Sequence, residues 1–353
     1  MDSNNVDDES MPKVGTLVTH QSKRKFEVTR IIACGPFSTV YQVIDPANGE
    51  MFAMKVENEL RNIRPSLVLD VYVLTRIGMR AGFPHLIATG RSATYKYAVM
   101  QLVGVDLGRL RRAMPEKKLV VFICLILSYF RFSLGTALRV CKQTLERIET
   151  LHEAGFLYRD VKANNFAIGR EDPNTVYMLD FGDKYGNLMS PRPATALLGT
   201  IHYASLAAHK LKEQCRRDDL ESWLYMCVEL CPLPWSHLEP LINHMVIAKW
   251  KQHIRTTARH GFFIGCPTEM SEMLTRIDAL DFYQRPPYED LHKILDSMIE
   301  RDGISSIDPL DWQFVGEIGE SHLASVRLRE QQEILENKID DDLRTPPIHI
   351  SDG

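Results

Sequence analysis

Residues 158–165 read Tyr-Arg-Asp-Val-Lys-Ala-Asn-Asn, and residues 178–183 read Met-Leu-Asp-Phe-Gly-Asp. Asp160 is followed by Lys162 and Asn165, and a strand-like run then ends at Asp180. These residue types at this spacing suit the movement of a phosphoryl group. A carboxylate such as Asp160 takes the proton of an attacking hydroxyl, and an ammonium such as Lys162 spreads charge on the transferred group. Two oxygen donors, Asn165 and Asp180, hold the magnesium ions that neutralise phosphate charge. Either half alone leaves a chance polar loop open as the lesser reading; the two in order, with what lies upstream, carry the reading.

Upstream, Ile32 to Val40 reads Ile-Ala-Cys-Gly-Pro-Phe-Ser-Thr-Val. A phosphate-cradling loop has glycine at three of these positions, because glycine lets backbone N–H groups approach phosphate closely. Only Gly35 is glycine here; Ala33 and Ser38 occupy the outer two places. Taken alone, the stretch is equally a plain strand-turn-strand. Ala53-Met54-Lys55 follows and matches the strand lysine that pairs the α- and β-phosphates of ATP. That lysine needs an acidic partner on the next helix, predicted over residues 65–80 and opened by Pro65. Asp70 falls at the place where a glutamate is expected. It is shorter by one methylene, roughly 1.5 Å of reach, so the pair forms only if the helix moves in, and Asp70→Glu is expected to keep or raise activity. Glu57 and Glu59 come too soon after Lys55 to lie on that helix.

Composition bounds the alternatives. Apolar residues make up 44% of the 353, enough for a sizeable core, and the net charge of −4 gives no support to nucleic-acid or membrane-surface binding. The seven cysteines show no paired spacing, so they read as reduced thiols of a cytosolic or nuclear protein. Cys227 and Cys231 fit a buried helix face better than a metal. The first ten residues are acidic and polar, without a signal-peptide pattern.

Residues 1–22 are expected to be disordered. From Phe26 the chain turns strand-like, with runs at FEVTRIIAC, TVYQVI, MFAMKVE, near Leu86 and at YKYAVMQL. Beyond Gly104 it is mainly helical. One helix places Leu134, Leu138, Cys141, Leu145 and Ile148 on a common face, with Ser133 as N-cap and Gly155 as stop. The expected architecture is α+β in two lobes: an antiparallel sheet with one helix over residues 23–103, then a larger helical lobe over 104–310. Residues 311–353 read as an extension, partly helical and then frayed.

These pieces together resemble the casein kinase 1 group of protein kinases, and within it the tau-tubulin kinase-like branch. The resemblance runs from about Phe26 to Leu310 and rests on YAVMQLVGVDLGRLRR, ETLHEAGFLYRDVKANNFAIGR, GTIHYASLAAHK, RRDDLESWLYM and LPW. It implies a two-lobed kinase fold with the site between the lobes. ATP would be contacted by Ile32, Gly35, Val40, Ala53, Lys55, Met100 as gatekeeper, and Gln101 to Val103 as adenine hinge. It also implies Asp219 as the buried brace of the catalytic loop. Protein substrates with serine or threonine acceptors, magnesium as the metal, and a monomer are expected.

Departures from the family pattern stand beside the matches. Tyr158 replaces the usual histidine, so a larger ring must fit against Asp-Phe-Gly. Ala163 replaces proline, Asp183 replaces an apolar residue, and His202 replaces the arginine of an anion pocket. The segment from Gly182 to Gly199 is about six residues short. Thr195, Thr200, Ser190 and Tyr185 lie in the activation segment that the resemblance implies and could be phosphorylated, and Arg159 could pair such a phosphate; no such step is expected. Leu119 to Arg131 (LVVFICLILSYFR) is an apolar insertion, too short to span a bilayer. We read it as translated intron sequence, ahead of a partner-docking or core-filling segment. The favoured function is transfer of the ATP γ-phosphate to serine or threonine of proteins, through Lys55, Asp70, Asp160, Lys162, Asn165 and Asp180. The alternative is a scaffold of the same fold that binds partners without useful transfer.

Overall fold

The computed structural model describes residues 10–35, 38–59, 66–114, 132–181, 199–229, 240–264 and 266–314. The insertion at 119–131, Cys231, Asp183, Thr195, Ser190, Tyr185 and the expected helix after residue 314 lie outside the described residues.

Alternation along the first strands builds a sheet with one apolar face. Strands β1 (Leu17–Thr19), β2 (Lys25–Cys34), β3 (Ser38–Ile44), β4 (Met51–Asn58), β5 (Leu86–Arg91) and β6 (Tyr95–Gln101) form one antiparallel sheet in the order β1-β2-β3-β4-β6-β5. Phe52, Met54 and Val56 of β4 are buried with Phe26, Val28, Val43 and Val99 in a compact apolar cluster. The period of two sends Lys55 and Glu57 to the other face. There they meet α1 (Leu67–Ile77), whose Val73, Leu74 and Ile77 are buried. The predicted 65–80 helix is thus real but shorter, starting after Ser66 and ending at Gly78 with φ 69°.

The second lobe is helical around one buried rod. The helices are α2 (Leu107–Ala113), α3 (Leu134–Glu153), α4 (Leu206–His209), α5 (Arg216–Glu229), α6 (Pro240–His253), α7 (Arg259–Phe262), α8 (Thr268–Asp278) and α9 (Tyr288–Arg301), with a short hairpin of β7 (Phe166–Ile168) and β8 (Val176–Met178). Every residue of α5 from Asp218 to Glu229 is buried, as expected of a helix without a solvent face. On α3, Leu138, Cys141, Leu145 and Ile148 are buried as the periodicity predicts, whereas Leu134, in the first turn, is exposed. Ser133 Oγ accepts from Thr136 N at 3.2 Å. At the other end, Gly155 takes φ 91°, and the amides of Gly155 and Phe156 close back onto His152 and Leu151, the usual way of satisfying final helix carbonyls.

Two boundaries need correction. Residues 1–22 are not wholly without structure. β1 pairs with β2 at Leu17↔Glu27, Val18 is buried at the sheet edge, and Ser10 Oγ lies 2.5 Å from Asn58 Nδ2. The polar composition hid a short strand with one inward side chain, Val18, docked by its pairing with β2. The helical lobe also does not end at 310. Asp311 accepts from Ser133 Oγ at 2.7 Å, and Trp312 is buried edge-on to Phe132 with its indole N–H on the Pro173 carbonyl at 3.1 Å.

Trp312→Ala should lower stability by about 3 kcal/mol, the usual cost of a large buried aromatic. Urea unfolding at neutral pH checks this; an unchanged midpoint would place Trp312 outside the fold.

Candidate active site

A cleft of about 650 Å³ opens between the sheet and the helical lobe, within the ordinary range for a small-molecule site. Ile32, Gly35, Val40, Ala53, Lys55, Met100, Gln101 and Val103 all line it, as do Asn165 and Asp180. Met100 sits opposite Ala53 in the β4–β6 pairing. Gln101 N bonds His85 O at 2.9 Å and Gly104 N bonds Ile168 O at 2.8 Å, fixing the segment that joins the lobes. The hairpin of β2 and β3 forms the roof, closed by Gly35 N on Ser38 O at 2.8 Å.

The back of the cleft is ionic. Lys55 Nζ lies 2.7 Å from Asp70 Oδ2 and 2.9 Å from Asp180 Oδ1. Asp70 Oδ1 accepts from Phe181 N at 2.6 Å. Burial alone would lower the Lys55 pKa; the two carboxylates outweigh it and hold the ammonium charged well above its ordinary range. Burial pushes the Asp70 carboxyl up against the pull of Lys55. The helix has therefore moved in, and the pair expected from sequence is made with an aspartate.

The catalytic-loop candidates gather at the open side. Asp160 Oδ1 accepts from Thr200 N at 2.8 Å and from Thr200 Oγ1 at 2.7 Å. Lys162 Nζ is 3.0 Å from Asp160 Oδ2 and 3.0 Å from Thr200 Oγ1. Asn165 Nδ2 donates to the Asp160 carbonyl at 2.9 Å and to Oδ2 at 3.0 Å. The loop is pinned from below by α5: Asp219 accepts from Tyr158 N at 2.7 Å, from Arg159 N at 2.6 Å, and contacts His152 Nε2 at 2.8 Å. Arg159 and Asp180 hold positive φ, 66° and 58°, a strained state for non-glycine residues that surrounding bonds must enforce. Tyr158 fits where a smaller ring was expected. Its ring meets Phe181 edge-on at 6.1 Å, and its hydroxyl donates to Leu179 O.

Some contributors carried little sequence signal. Thr200, whose sequence signal was only that of a hydroxyl in the activation segment, is bonded to Asp160 and Lys162. Gly199, with φ 93°, approaches so closely that a Cβ would stand 2.4 Å from Arg159 O. Arg159 Nη2 pairs with Glu213 Oε1 at 2.6 Å, both side chains buried, so its charge is engaged internally. Lys251 of α6, which reads as a solvated helix lysine, is buried and donates to Ile201 O at 3.0 Å and Ala204 O at 2.7 Å. Among the described residues, no cluster of three or more His, Cys, Asp or Glu could hold a metal by itself. No described helix is long and apolar enough to cross a membrane.

The model of the protein kinase domain family matches residues 26–223. The chain belongs to the protein kinase family. It is 45% identical over 343 residues to the serine/threonine-protein kinase spe-6 of Caenorhabditis elegans, covering 91% of this chain and 87% of that one. It is 30% identical to a probable serine/threonine-protein kinase of Dictyostelium discoideum, covering 86% of this kinase and 59% of the relative. With casein kinase I homolog 2 of Schizosaccharomyces pombe it shares 28% identity, over 88% of this chain and 72% of the other. These relatives support a serine/threonine kinase, and the fold implies ATP binding. The cleft fits that ligand: an apolar roof for a planar base, a charged lysine behind it, and hard oxygen donors, Asn165 and Asp180, of the kind magnesium takes.

His209 generates a pH prediction. It lies 3.1 Å from Lys251 Nζ, and burial first, then the neighbouring charges of Lys251 and His244, hold its pKa down from 6.5 to about 3. The unfolded chain takes this proton below about pH 6.5 and the folded one does not. Its contribution to stability is therefore complete above about pH 6.5 and is lost progressively as the pH falls toward 3. His209→Gln should flatten that part of the stability profile. Equal slopes between about pH 7 and 5 in calorimetry of the two proteins would contradict the assignment.

Proposed function

We propose that the chain is a catalytically active serine/threonine kinase of the casein kinase 1 group, nearest its tau-tubulin kinase-like branch. The group assignment is supported by the likeness to casein kinase I homolog 2 and by the GTIHYAS and RRDDLES stretches. One observation carries the activity: Lys55 already holds both Asp70 and Asp180, while Asp160, Lys162 and Asn165 form a second contiguous set. A scaffold has no need of both.

Bound magnesium-ATP supplies the transferable phosphoryl group. Lys55, locked in orientation by two carboxylates, would hold the α- and β-phosphates. Asn165 spends its amide nitrogen on Asp160, so its oxygen, with the half-exposed Asp180 carboxylate, would hold the metal. Asp160 orients the acceptor hydroxyl and receives its proton; Thr200 Oγ–H already donates to it as that hydroxyl would. Lys162, 3.0 Å from Asp160, offsets negative charge as it builds on the transferred group. The chemistry is positioning and electrostatics.

Asp180→Asn keeps the side-chain volume but removes a charged metal ligand and one partner of Lys55. Magnesium-dependent transfer to a protein substrate such as casein should fall by at least about a hundredfold, with the fold retained by circular dichroism. Turnover close to wild type would show that the site lies elsewhere.

A further inference from the structure

Glu57 has no place in the chemistry above, yet it is 2% exposed and one of its carboxylate oxygens takes three hydrogen bonds. It follows Lys55 by two residues on β4, so both side chains leave the same face of the sheet. Its Oε1 accepts from Ser66 N at 2.7 Å, Ser66 Oγ at 3.0 Å and Leu67 N at 3.3 Å. These are the first groups of α1. Ser66, at the N-cap position, makes no side-chain cap bond to its own helix. The helix takes its cap from the neighbouring strand, and the carboxylate sits at the positive end of the helix dipole.

One turn on, Asp70 N closes onto Ser66 O at 3.2 Å. The residue that Glu57 grips is therefore hydrogen-bonded directly to the one that Lys55 needs. An aspartate reaches about 1.5 Å less far than a glutamate, the length of one C–C bond. With Asp70 Oδ2 only 2.7 Å from Lys55 Nζ, the first turn of α1 has to lie close against β4. A charge-assisted bond set at its start, made from the same strand as the lysine, supplies that closeness.

We propose that Glu57 is a positioning residue: it seats the first turn of α1 against β4, and so lets an aspartate at position 70 serve Lys55. The clamp also changes the expectation for Asp70→Glu. With α1 seated and Asp70 buried between Lys55 and the Phe181 amide, an added methylene crowds the site rather than extending a short reach.

The test uses the full chain with Glu57→Ala, Glu57→Gln, Asp70→Glu, and Glu57→Ala combined with Asp70→Glu. Two readouts are taken: steady-state transfer, with kcat and the KM for ATP separated, and amide hydrogen exchange across residues 67–73. The inference rests on the proposed transfer activity for the first readout only. Glu57→Ala should lower kcat about tenfold, the equivalent of about 1.4 kcal/mol, and speed exchange in the first turns of α1. Glu57→Gln keeps an acceptor and should lose less. The double variant should recover most of the kcat and the slow exchange lost in Glu57→Ala, because the longer side chain spans the gap left by a released helix. A residue that only stabilises the lobe predicts no such rescue. The proposal is overturned if the double variant is no better than Glu57→Ala, or if Glu57→Ala leaves α1 exchange unchanged. If even the wild-type protein fails to transfer phosphate, the proposed activity fails by itself and the exchange data still decide the clamp.

Discussion

The contact between Lys55 Nζ and Asp70 Oδ2, 2.7 Å long and nearly shut off from water, is the constraint around which the site is arranged. Taking two charges out of water is costly, and leaving either one unpaired costs more. The structure answers by satisfying every participant. Lys55 has Asp180 as a second carboxylate, Asp70 has the Phe181 amide on its other oxygen, and α1 is held at its start by Glu57. A strand of one lobe, the helix behind it and the Asp-Phe segment of the other lobe thus meet at one ionic cluster. Phe181 extends the contact by packing on Phe83 and Tyr158.

The same physical logic operates below the cleft. Asp219 rises from a helix with no solvent face and receives the amides of Tyr158 and Arg159. Arg159 then accepts a left-handed backbone and a buried partner in Glu213. That combination turns the chain sharply enough to present Asp160 to Thr200 and Lys162. Farther out, Lys251 binds the carbonyls of Ile201 and Ala204, so a buried lysine steadies the segment that carries Thr200. Each of these is a polar group that could not be buried unless its partners were built in with it.

Much of this was legible in the residues. MFAMKVE read as a strand, which the structure makes β4, and the residues singled out by spacing, Asp160, Lys162 and Asn165, lie in contact, as do Lys55, Asp70 and Asp180 through the lysine. What escaped reading depends on contacts distant in sequence. Nothing in Lys251 or Glu213 marks them as buried, because their partners lie tens of residues away. Glu57 was set aside as coming too soon after Lys55 to lie on the helix; from its place on β4 it reaches the helix start instead. The doubt raised by Asp70 came from judging reach with the helix at an assumed distance, and packing sets that distance. β1 and Trp312 escaped for a simpler reason: a single inward apolar side chain leaves no periodicity to detect.

The proposed activity requires this ionic cluster to assemble a working site without any activating modification. The most direct measurement is single-turnover transfer by bacterially expressed, phosphatase-treated protein mixed with magnesium-ATP and an acidic protein substrate. The account predicts phosphoserine or phosphothreonine in the first turnover with no lag, abolished by Lys55→Met. Magnesium-dependent ATP binding with no transfer, or transfer only after a lag that tracks autophosphorylation, would contradict it.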